Sequence, residues 1–462
     1  MKDFLSGKKR VHFIGAGGSG MYPLARMLRE QGFAVTGSDN NETDTLAAAR
    51  KSGIKVFLGH SPENINGADL IIYSSAIRGD NPEILAAAEK NIEIHDRAQL
   101  LGLFTSRHDK AVCVAGTHGK TTVTSMLVHI LLAAGTDISA FVGGKLKILD
   151  GGARIGKSGI MVCEACEFND NFLKLNPNIT LILNIDEDHM DYFKTVDNLR
   201  GSFSEFCKKT SDALIVNGDD ENTRAAVLDS GFKGKIITFG NSDKNDYYPR
   251  NAKKLSDFES SFELYENRKR VAEITVGVTG AHNALNAVCA CAAGLYLKSG
   301  VSALKEGLRG FTGASRRFER LAVVNNITVA DDYAHHPAEI AATLTAAKDM
   351  NFKRVRAVHQ PFTYSRTAAL ADGFAEALSI ADEVTLTEIM GGREKNDYNI
   401  HSRDLAKKIK GCNLFATFGE TADFVASSAR EGDLIITMGC GDVNKVAGMI
   451  IDRLKDLFAE RG

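Results

Sequence analysis

Residues 110–122 constrain the fold most strongly, because an apolar run, a glycine-rich turn and a helical pattern follow one another there. Residues 111–115 predict a short buried strand, and residues 125–132 predict a helix. Glycines at such a corner let backbone N–H groups approach an anion, the helix N-terminus adds partial positive charge, and a lysine reaches terminal phosphate oxygens. The residues predicted to form this nucleoside triphosphate site are Gly116, Thr117, His118, Gly119, Lys120, Thr121 and Thr122.

The spacing of this turn departs from the common GxxxxGKS/T loop, because Val114 rather than glycine stands five residues before Gly119. An ordinary strand–turn–helix corner without a ligand is the alternative. A lysine and two threonines between a strand and a helix favour phosphate binding, with Thr121 able to hold Mg²⁺. We therefore expect the protein to use ATP or GTP.

Composition limits the remaining possibilities. At 462 residues the chain is too long for one core and predicts two or three domains. A formal net charge of −2 gives no electrostatic support for nucleic acid as a partner. The eight cysteines lack the paired spacing of zinc sites, so we expect reduced core thiols in a cytoplasmic protein. No segment is apolar for long enough to span a bilayer, and we expect no membrane insertion.

The first segment, residues 1–107, carries a second glycine-rich turn. A strand, the turn at 15–20 and a helix follow one another, and the next strand ends at Asp39. This GxGxxG pattern with an acidic residue predicts a diphosphate over the helix N-terminus and Asp39 near a ribose. NAD and a UDP-sugar satisfy the pattern equally. Ser74 and Ser75 follow a later strand, where they either bind a ligand or make a local turn.

The second segment, residues 108–313, places polar residues after two further apolar strands. Glu164 follows the first, and His189, in an acidic loop, follows the second. Repeated strand-then-acid patterns in a domain with a phosphate loop predict Mg²⁺ ligands at one sheet edge. A surface histidine in a solvated loop is the alternative for His189. Asn283 and Asn286 lie three apart on one helical face, where they contact a nucleobase edge or cap the helix.

The third segment, residues 314–462, alternates short apolar strands with helical runs, which predicts another doubly wound α/β unit. Arg316 and Arg317 stand at a predicted hinge, where they are either solvated or able to reach a γ-phosphate. Further on, an aspartate, a tyrosine and two histidines follow one strand end. That combination favours a substrate site over a purely structural role.

Taken in order, these motifs resemble those of the Mur ligase family, and the resemblance spans nearly the whole chain. The shortened Gly-Thr-His-Gly-Lys-Thr-Thr loop, unusual for a common phosphate loop, is the form that this family has. Each motif alone is weak evidence for this resemblance, whereas the order and spacing of all the motifs together are specific to the family. The residues that carry the resemblance are 15–21, 115–122, 164, 184, 188–191, 282–286, 316–318, 331–337 and 364–366.

The resemblance implies an α/β fold of three domains: a Rossmann-like UDP-binding domain (1–107), a P-loop-type ATPase domain (108–313) and a Rossmann-like C-terminal domain (314–462). It assigns the first glycine turn to the diphosphate of a UDP-sugar rather than to NAD. The implied reaction is ATP-dependent amide formation, in which the lactoyl carboxylate of UDP-N-acetylmuramate becomes an acyl phosphate and L-alanine captures it. Mg²⁺ is the implied cofactor, and the protein is expected to act as a monomer or homodimer.

The resemblance also implies roles for individual residues. Lys120 binds the β- and γ-phosphates, and Arg366 pairs with the carboxylate of L-alanine beside His335. The implied catalytic residues are Lys120, Glu164, His189, His335 and Arg366, and the implied metal ligands are Thr121, Glu164 and His189. The implied ATP contacts beyond the phosphate loop are Asn283, Asn286, Arg317, Asp332 and Tyr333. The implied UDP-sugar contacts are Gly15, Gly17, Gly18, Ser19, Gly20, Met21, Asp39, Ser74, Ser75 and Arg97.

Three departures from the family pattern matter. Cys166 occupies a position that often holds aspartate, so it is not assigned to the metal. Thr363 stands where some relatives carry a second arginine in the amino-acid pocket, which leaves the specificity for alanine open. Several sibling ligases use a carbamylated lysine at the position expected near Ser204, and we expect no carbamate in this chain.

Three other interpretations compete with the alanine-adding one. Within the family, a recycling ligase adds a whole peptide to the same UDP-sugar. Outside it, the first segment alone favours an NAD-dependent oxidoreductase, which leaves the Lys120 turn unexplained. A non-catalytic nucleotide sensor needs neither a magnesium cluster nor a second substrate pocket.

Overall fold

The computed structural model describes residues 3–313, 315–391 and 394–459. The chain divides into two compact units, Met1–Phe311 and Thr312–Gly462. Ala314, at which the predicted third domain begins, lies outside the described residues. The first unit contains two sheets and the second unit contains one.

The first sheet is an open, all-parallel sheet in the order β3-β2-β1-β4-β5. Its strands are β1 (Arg10–Ile14), β2 (Ala34–Asp39), β3 (Lys55–Leu58), β4 (Leu70–Tyr73) and β5 (Glu93–Asp96). Its helices are α1 (Met21–Glu30), α2 (Asp44–Lys51), α3 (Pro82–Glu89) and α4 (Arg97–Ser106). The strand order reverses between β1 and β4, and open sheets of this kind bind ligands at the carboxyl ends of the strands beside such a reversal.

The central sheet has ten strands in the order β15-β14-β13-β12-β11-β10-β6-β9-β7-β8. The strands are β6 (Lys110–Ala115), β7 (Ser139–Leu146), β8 (Gly151–Arg154), β9 (Ile160–Glu164), β10 (Ile179–Ile182), β11 (Ala213–Asn217), β12 (Lys235–Phe239), β13 (Tyr247–Ser256), β14 (Glu259–Glu266) and β15 (Lys269–Val276). The helices are α5 (Lys120–Ala133), α6 (Met190–Phe193), α7 (Val196–Lys209), α8 (Glu221–Ser230), α9 (Ala281–Tyr296) and α10 (Gly300–Gly310). Strand β6 lies between β10 and β9 and runs parallel to both, so the carboxyl ends of all three strands meet at one edge.

One apolar core joins the first sheet to the central sheet. Phe104 of α4 belongs to the same buried cluster as Phe172, which lies in a 3-10 helix (Phe168–Lys174) after β9. The Phe172 ring packs 5.1 Å from Phe203 and 4.6 Å from Phe206, both on α7. At the rim of this contact Lys174 Nζ donates to Asp96 Oδ2 at 2.8 Å. The first two sheets therefore fold as one unit.

The third sheet has the order β16-β17-β21-β18-β19-β20, with β16 antiparallel and the other strands parallel. The strands are β16 (Glu319–Val324), β17 (Ile327–Asp332), β18 (Arg354–His359), β19 (Glu383–Thr387), β20 (Asn413–Phe415) and β21 (Asp433–Met438). The helices are α11 (Pro337–Lys348), α12 (Tyr364–Ala369), α13 (Ala371–Leu378), α14 (Ser402–Ala406), α15 (Phe418–Ser427) and α16 (Asn444–Ala459). One apolar cluster packs the sheet against α11 and α13 and another packs it against α15 and α16, which makes a three-layer unit.

The predicted α/β class is confirmed, with Rossmann-like sheets at both ends of the chain and a phosphate-loop sheet between them. Residues 247–276 form the antiparallel strands β13 to β15 at one end of the central sheet. Within the described residues, none of the helices combines the length and the hydrophobicity that crossing a bilayer requires.

Candidate active site

The phosphate loop connects β6 to α5 in a conformation that depends on glycine. Gly119 caps α5 with a φ of +85°, in the left-handed region that side chains rarely adopt. A Cβ at this position would lie 2.9 Å from Asn286 Oδ1. Lys120 Nζ donates to the carbonyl oxygens of Gly116 at 2.5 Å and Thr117 at 3.1 Å. Lys120 thus reaches back over the loop that precedes it.

The chain after β10 supports this loop from the side. His118 N–H donates to Asn184 Oδ1 at 2.8 Å, and Asn184 Nδ2 donates back to the His118 carbonyl at 3.2 Å. The Asp186 N–H donates to Thr117 Oγ1 at 2.9 Å. Thr121 and Thr122 occupy the first turn of α5 and are half-buried. The predicted triphosphate residues therefore lie together at the carboxyl end of β6.

Three side chains near the loop could hold a metal ion together. Ligand atoms of Glu167, Asp188 and His189 lie within 4.8 Å of one another. Two carboxylates and an imidazole suit a hard divalent cation that retains part of its water shell. His189 has a φ of +53°, and strained backbone of this kind clusters at functional sites. The donor set fits Mg²⁺.

This group overlaps only partly with the predicted metal ligands. His189 belongs to it, and Thr121 lies in the first turn of α5. Glu164 accepts a hydrogen bond from Gly143 N–H at 2.6 Å. Glu167, which the sequence interpretation left unassigned, also pairs with Lys120, with Oε2 2.9 Å from Nζ. The signal that could have found it is the same strand-then-acid pattern that selected Glu164.

The first glycine turn, at 15–20, follows β1, and Met21 begins α1. The carboxylate of Asp39 holds this turn, because Oδ2 accepts from Gly17 N–H at 2.9 Å and Oδ1 accepts from Asn41 N–H at 3.1 Å. The Gly15 N–H donates to the Ser38 carbonyl at 2.8 Å. Asp39 therefore shapes the backbone that would receive a diphosphate, and its contact with a ribose stays a prediction.

A cavity of about 250 Å³ opens beside this turn. Arg97 lines it and lies against the turn, since a Cβ on Gly20 would be 3.0 Å from the guanidinium nitrogen Nη1. Ser75 also lines the cavity, whereas Ser74 Oγ accepts from Ala76 N–H at 3.4 Å and makes the local turn that was the alternative. The central domain contributes the remaining polar wall, which consists of Asn169, Asn171 and Lys174.

The segment after β9 connects this cavity to the phosphate loop. Asn169 lines the cavity, and Glu167, two residues earlier, accepts a hydrogen bond from Lys120 Nζ at 3.0 Å. Burial raises the pKa of the Cys166 thiol, which lies in the same segment, and the neighbouring Glu167 carboxylate raises it further. The Lys120 ammonium and the Arg97 guanidinium both lower it.

A buried carboxylate supports the end of β2 from below. Glu83 is fully buried and accepts from Ser38 Oγ at 2.6 Å and Asn64 Nδ2 at 2.6 Å, with His60 Nδ1 at 3.1 Å. Burial raises the pKa of Glu83, but the ring of His12 and the Ser38 and Asn64 side chains outweigh burial and lower it to about 2. Glu83 is therefore ionised at neutral pH, directly beneath the residue that precedes Asp39. Sequence analysis did not find this cluster.

The two asparagines of α9 have separate surroundings. Asn283 Nδ2 donates to the Thr279 carbonyl at 2.7 Å, and α9 begins after Gly280 without a side-chain cap hydrogen bond, so Asn283 does not cap the helix. Asn286 lies against Gly119 of the phosphate loop. Contacts of either residue with a nucleobase stay predictions.

In the second unit, an arginine pair packs on one tyrosine. The guanidinium carbons of Arg316 and Arg317 lie 5.2 Å and 5.5 Å from the centre of the Tyr333 ring. Arg316 also pairs with Asp331 at 2.9 Å. Burial raises the pKa of Asp332 to about 6, although its carboxylate accepts backbone N–H groups of Ala334 and Phe318. Those bonds turn Asp332 toward the chain itself, and its contact with the nucleotide stays a prediction.

The two residues predicted to receive L-alanine lie at the same edge of the third sheet. His335 follows β17, and its ring centre lies 5.7 Å from that of Tyr333. Burial lowers the pKa of His335; the Glu339 carboxylate opposes this effect and the Arg366 guanidinium adds to it. His335 follows β17 and Arg366 lies on α12 after β18, and both of these strands run parallel to β21, so the two residues follow the carboxyl ends of strands in the same sheet.

Three family models match successive parts of the chain. Residues 10–109 match the model described as Mur ligase family, catalytic domain. Residues 114–294 match the Mur ligase middle domain, and residues 316–441 match the Mur ligase, glutamate ligase domain.

Curated relatives and solved structures agree with these matches. Proteins named UDP-N-acetylmuramate–L-alanine ligase from Clostridium botulinum (strain Loch Maree / Type A3) and Agathobacter rectalis are 39% and 42% identical to this chain. The alignments cover 97% and 94% of this chain and 99% and 96% of the relatives. The crystal structure of UDP-N-acetylmuramate-alanine ligase from Thermotoga maritima is 30% identical, with a TM-score of 0.83 over 97% of this chain and 99% of that chain. A murein peptide ligase from Psychrobacter arcticus, 24% identical over 96% of this chain and 98% of that chain with a TM-score of 0.71, shares the fold.

The matched models cover all three sheets, and the relatives align over nearly their full length. The order of motifs in the sequence and the arrangement of the three sheets lead to the same assignment. The chain belongs to the Mur ligase family.

Proposed function

We propose that the protein is an ATP-dependent ligase that joins L-alanine to the lactoyl carboxylate of UDP-N-acetylmuramate through an acyl phosphate, in peptidoglycan precursor synthesis. Relatives that bear the name of this activity align over nearly the whole chain. The reaction belongs in the cytoplasm, where the nucleotide substrates are made. The domain boundaries at 107/108 and 313/314 and the action as a monomer or homodimer are parts of the same proposal.

The observation that carries the proposal is the short separation of two cationic sites within one compact unit. Arg97 lies against the glycine turn after β1 and lines a cavity with Asn169, and Lys120 of the phosphate loop pairs with Glu167, two residues before Asn169. Phosphoryl transfer to a carboxylate requires the acceptor oxygen and the γ-phosphorus to approach each other closely, and positioning supplies much of the rate. A UDP-sugar at the first turn and ATP at the second would have their reacting ends between Arg97 and Lys120.

The first chemical step is the transfer of the γ-phosphoryl group. The lactoyl carboxylate oxygen attacks the γ-phosphorus, and the bond to the β-phosphate oxygen breaks as ADP leaves. Lys120 neutralises charge on the β- and γ-phosphates, so it must exchange its contacts with Glu167 and the loop carbonyls for phosphate oxygens. Mg²⁺, held by His189 with Glu167 and Asp188, would screen the phosphate charges when bound, and Thr121 and Glu164 stay proposed as further ligands.

The second step is capture of the acyl phosphate by the amine. The nitrogen of L-alanine attacks the acyl carbon, inorganic phosphate leaves from the tetrahedral intermediate, and the amine loses a proton. Arg366 would hold the amino-acid carboxylate through paired N–H donors, with His335 beside it. Burial lowers the pKa of His335 and so favours its neutral form at neutral pH.

One assay tests the proposal. Phosphate release is measured with UDP-N-acetylmuramate, ATP and Mg²⁺ while each amino acid is supplied in turn. We expect turnover with L-alanine and much slower turnover with the other amino acids. Turnover with a tripeptide in place of L-alanine would instead identify a recycling ligase. Tight binding of NADH in a fluorescence titration would support the interpretation of the first domain as part of an NAD-dependent oxidoreductase.

A further inference from the structure

A buried acceptor without a partner lies at the carboxyl edge of the third sheet. Gln360, directly after β18, is 5% exposed, and within the described part of the chain no hydrogen bond reaches its Oε1 atom. An unpaired buried acceptor loses its water without compensation, so such atoms mark places where a ligand supplies the missing donor. The neighbouring His359 also has an unpaired Nε2, but its ring is fully buried against Phe374 with the centres 5.6 Å apart.

The space around Gln360 is kept open by a glycine. A Cβ on Gly441 would lie 2.6 Å from Gln360 Oε1 and 2.8 Å from Met390 Sδ, so a larger residue at 441 would displace both side chains. The loop that carries Gly441 follows β21, which pairs with β17 and β18. Arg316 fixes this loop by donating to the Gly441 carbonyl at 3.1 Å.

The same loop lies close to the proposed amino-acid residues. Burial raises the pKa of Cys440 to about 11, and the guanidinium groups of Arg366 and Arg316 lower it. Gln360 directly follows β18 and Arg366 lies six residues later on α12, so both residues follow the carboxyl end of β18. Gln360 therefore belongs to the edge that contains Arg366.

An amino acid presents two charged groups, and they need opposite partners. Arg366 can donate to the carboxylate, whereas the amine needs an acceptor. Three carboxylates near this edge are already engaged by the protein: Asp331 by Arg316, Asp332 by backbone N–H groups, and Glu339 by the N–H of His335 at 2.8 Å. Among the described residues, Gln360 Oε1 is a buried acceptor at this edge that receives no hydrogen bond.

We propose that Gln360 is a specificity-determining residue whose side-chain oxygen accepts an N–H of the amino-acid substrate, while Arg366 holds the carboxylate. The proposal rests on the proposed function, because it takes an amino acid as the second substrate. An uncharged acceptor binds the amine without the strong ion pair that would hold it protonated and non-nucleophilic. The site thus selects carboxylic acids that carry an amine over those that lack one.

The test compares L-alanine with propionate, which has the same carbon chain and carboxylate but no amine. In the Gln360→Met variant, which removes the acceptor and keeps a similar length, we expect the KM for L-alanine to rise about ten- to a hundredfold. The KM for ATP and the inhibition constant of propionate should change less than about twofold. Met390→Leu, which alters the other side chain at Gly441, is the matched control and should leave all three constants unchanged.

A second variant keeps the test decisive if Gln360→Met does not fold. Gln360→Glu retains acceptor oxygens, so the KM for L-alanine should stay within a fewfold of wild type, while propionate should inhibit more weakly because a like charge is added. An unchanged KM for L-alanine in Gln360→Met overturns the proposal. A parallel loss of propionate binding also overturns it, since Gln360 would then contact the carboxylate. Wild-type protein that releases no phosphate with L-alanine contradicts the proposed function instead, and the two failures are separate.

Discussion

Replacing Glu83 by glutamine should loosen the first sheet at neutral pH without touching any predicted substrate contact. The side chain is fully buried and its carboxylate gathers Ser38, His60 and Asn64 around one charge. Glutamine has nearly the same shape but loses the charge and places an N–H₂ group where an acceptor is needed. The cluster would then lose charge-assisted hydrogen bonds that tie β2 to α3.

The pKa of Glu83 gives the size of the effect. Its value falls from 4.5 to about 2 in the folded protein. Each tenfold change in acid dissociation is worth about 1.4 kcal/mol, so the ionised form contributes about 3 kcal/mol of stability. Because the carboxylate of Glu83 is fully buried, solvent does little to weaken its interactions with these partners. Since folding lowers this pKa, the contribution is fully present above pH 4.5 and is lost as the pH falls toward 2.

Hydrogen exchange measures this local stability. In the Glu83→Gln variant at pH 7, we expect amides of β1 and α3 to exchange about a hundredfold faster than in wild type, which corresponds to the loss of about 3 kcal/mol. At pH 3 the difference in the free energy of local unfolding between wild type and Glu83→Gln should be less than half of its value at pH 7. Glu89→Gln, at the exposed end of the same helix, is the control and should change the free energy by less than about 0.5 kcal/mol. Equal exchange in Glu83→Gln and Glu89→Gln, or a gap that grows in acid, would refute the reasoning.

Three further predictions concern the proposed active site. Lys120→Met should lower ATP turnover at least about a hundredfold in a phosphate-release assay, while the UDP-sugar should still bind when measured by calorimetry. Loss of UDP-sugar binding in a folded variant would contradict the prediction that the two nucleotides bind at separate sites. Arg366→Lys should raise the KM for L-alanine about tenfold more than the KM for ATP, because lysine cannot donate a paired fork; equal rises would give Arg366 another role. His189→Ala should raise the Mg²⁺ concentration for half-maximal activity about tenfold or more, and an unchanged Mg²⁺ titration would remove His189 from the metal site.

The sequence could predict the α/β class because strand and helix patterns alternate through most of the chain. The glycine turns at 15–20 and 116–119 were found at the correct strand ends, since short apolar runs precede them and helices follow. The second of the two apolar strands predicted in residues 108–313 ends at Ile182, although apolar residues continue to Ile185. Beyond that point the chain leaves the ladder, because Asn184 bonds the backbone of His118 instead. Apolar character continues past the strand end, so periodicity could not locate it.

The contacts of Glu167 and Glu83 could not be predicted from the sequence for a common reason. A strand-then-acid pattern could have selected Glu167, but its partner Lys120 lies 47 residues away in the chain. Glu83 lies in the first turn of an ordinary helix capped by Asn81, while its partner Ser38 lies 45 residues earlier. Contacts between residues this far apart in sequence depend on the order of the strands in the sheets. Patterns in a single sequence relate only residues that are close together in the chain.

The apolar core around Phe172 has a consequence for how the enzyme tolerates amino-acid substitutions. The ring is fully buried in the apolar cluster that joins the first sheet to the central sheet, and these sheets carry the two predicted nucleotide sites of the first unit. Truncation of a buried phenylalanine typically costs about 3–5 kcal/mol. Damage at this point would loosen both sites together, so we expect the least variable side chains of this unit to include some that no substrate ever meets.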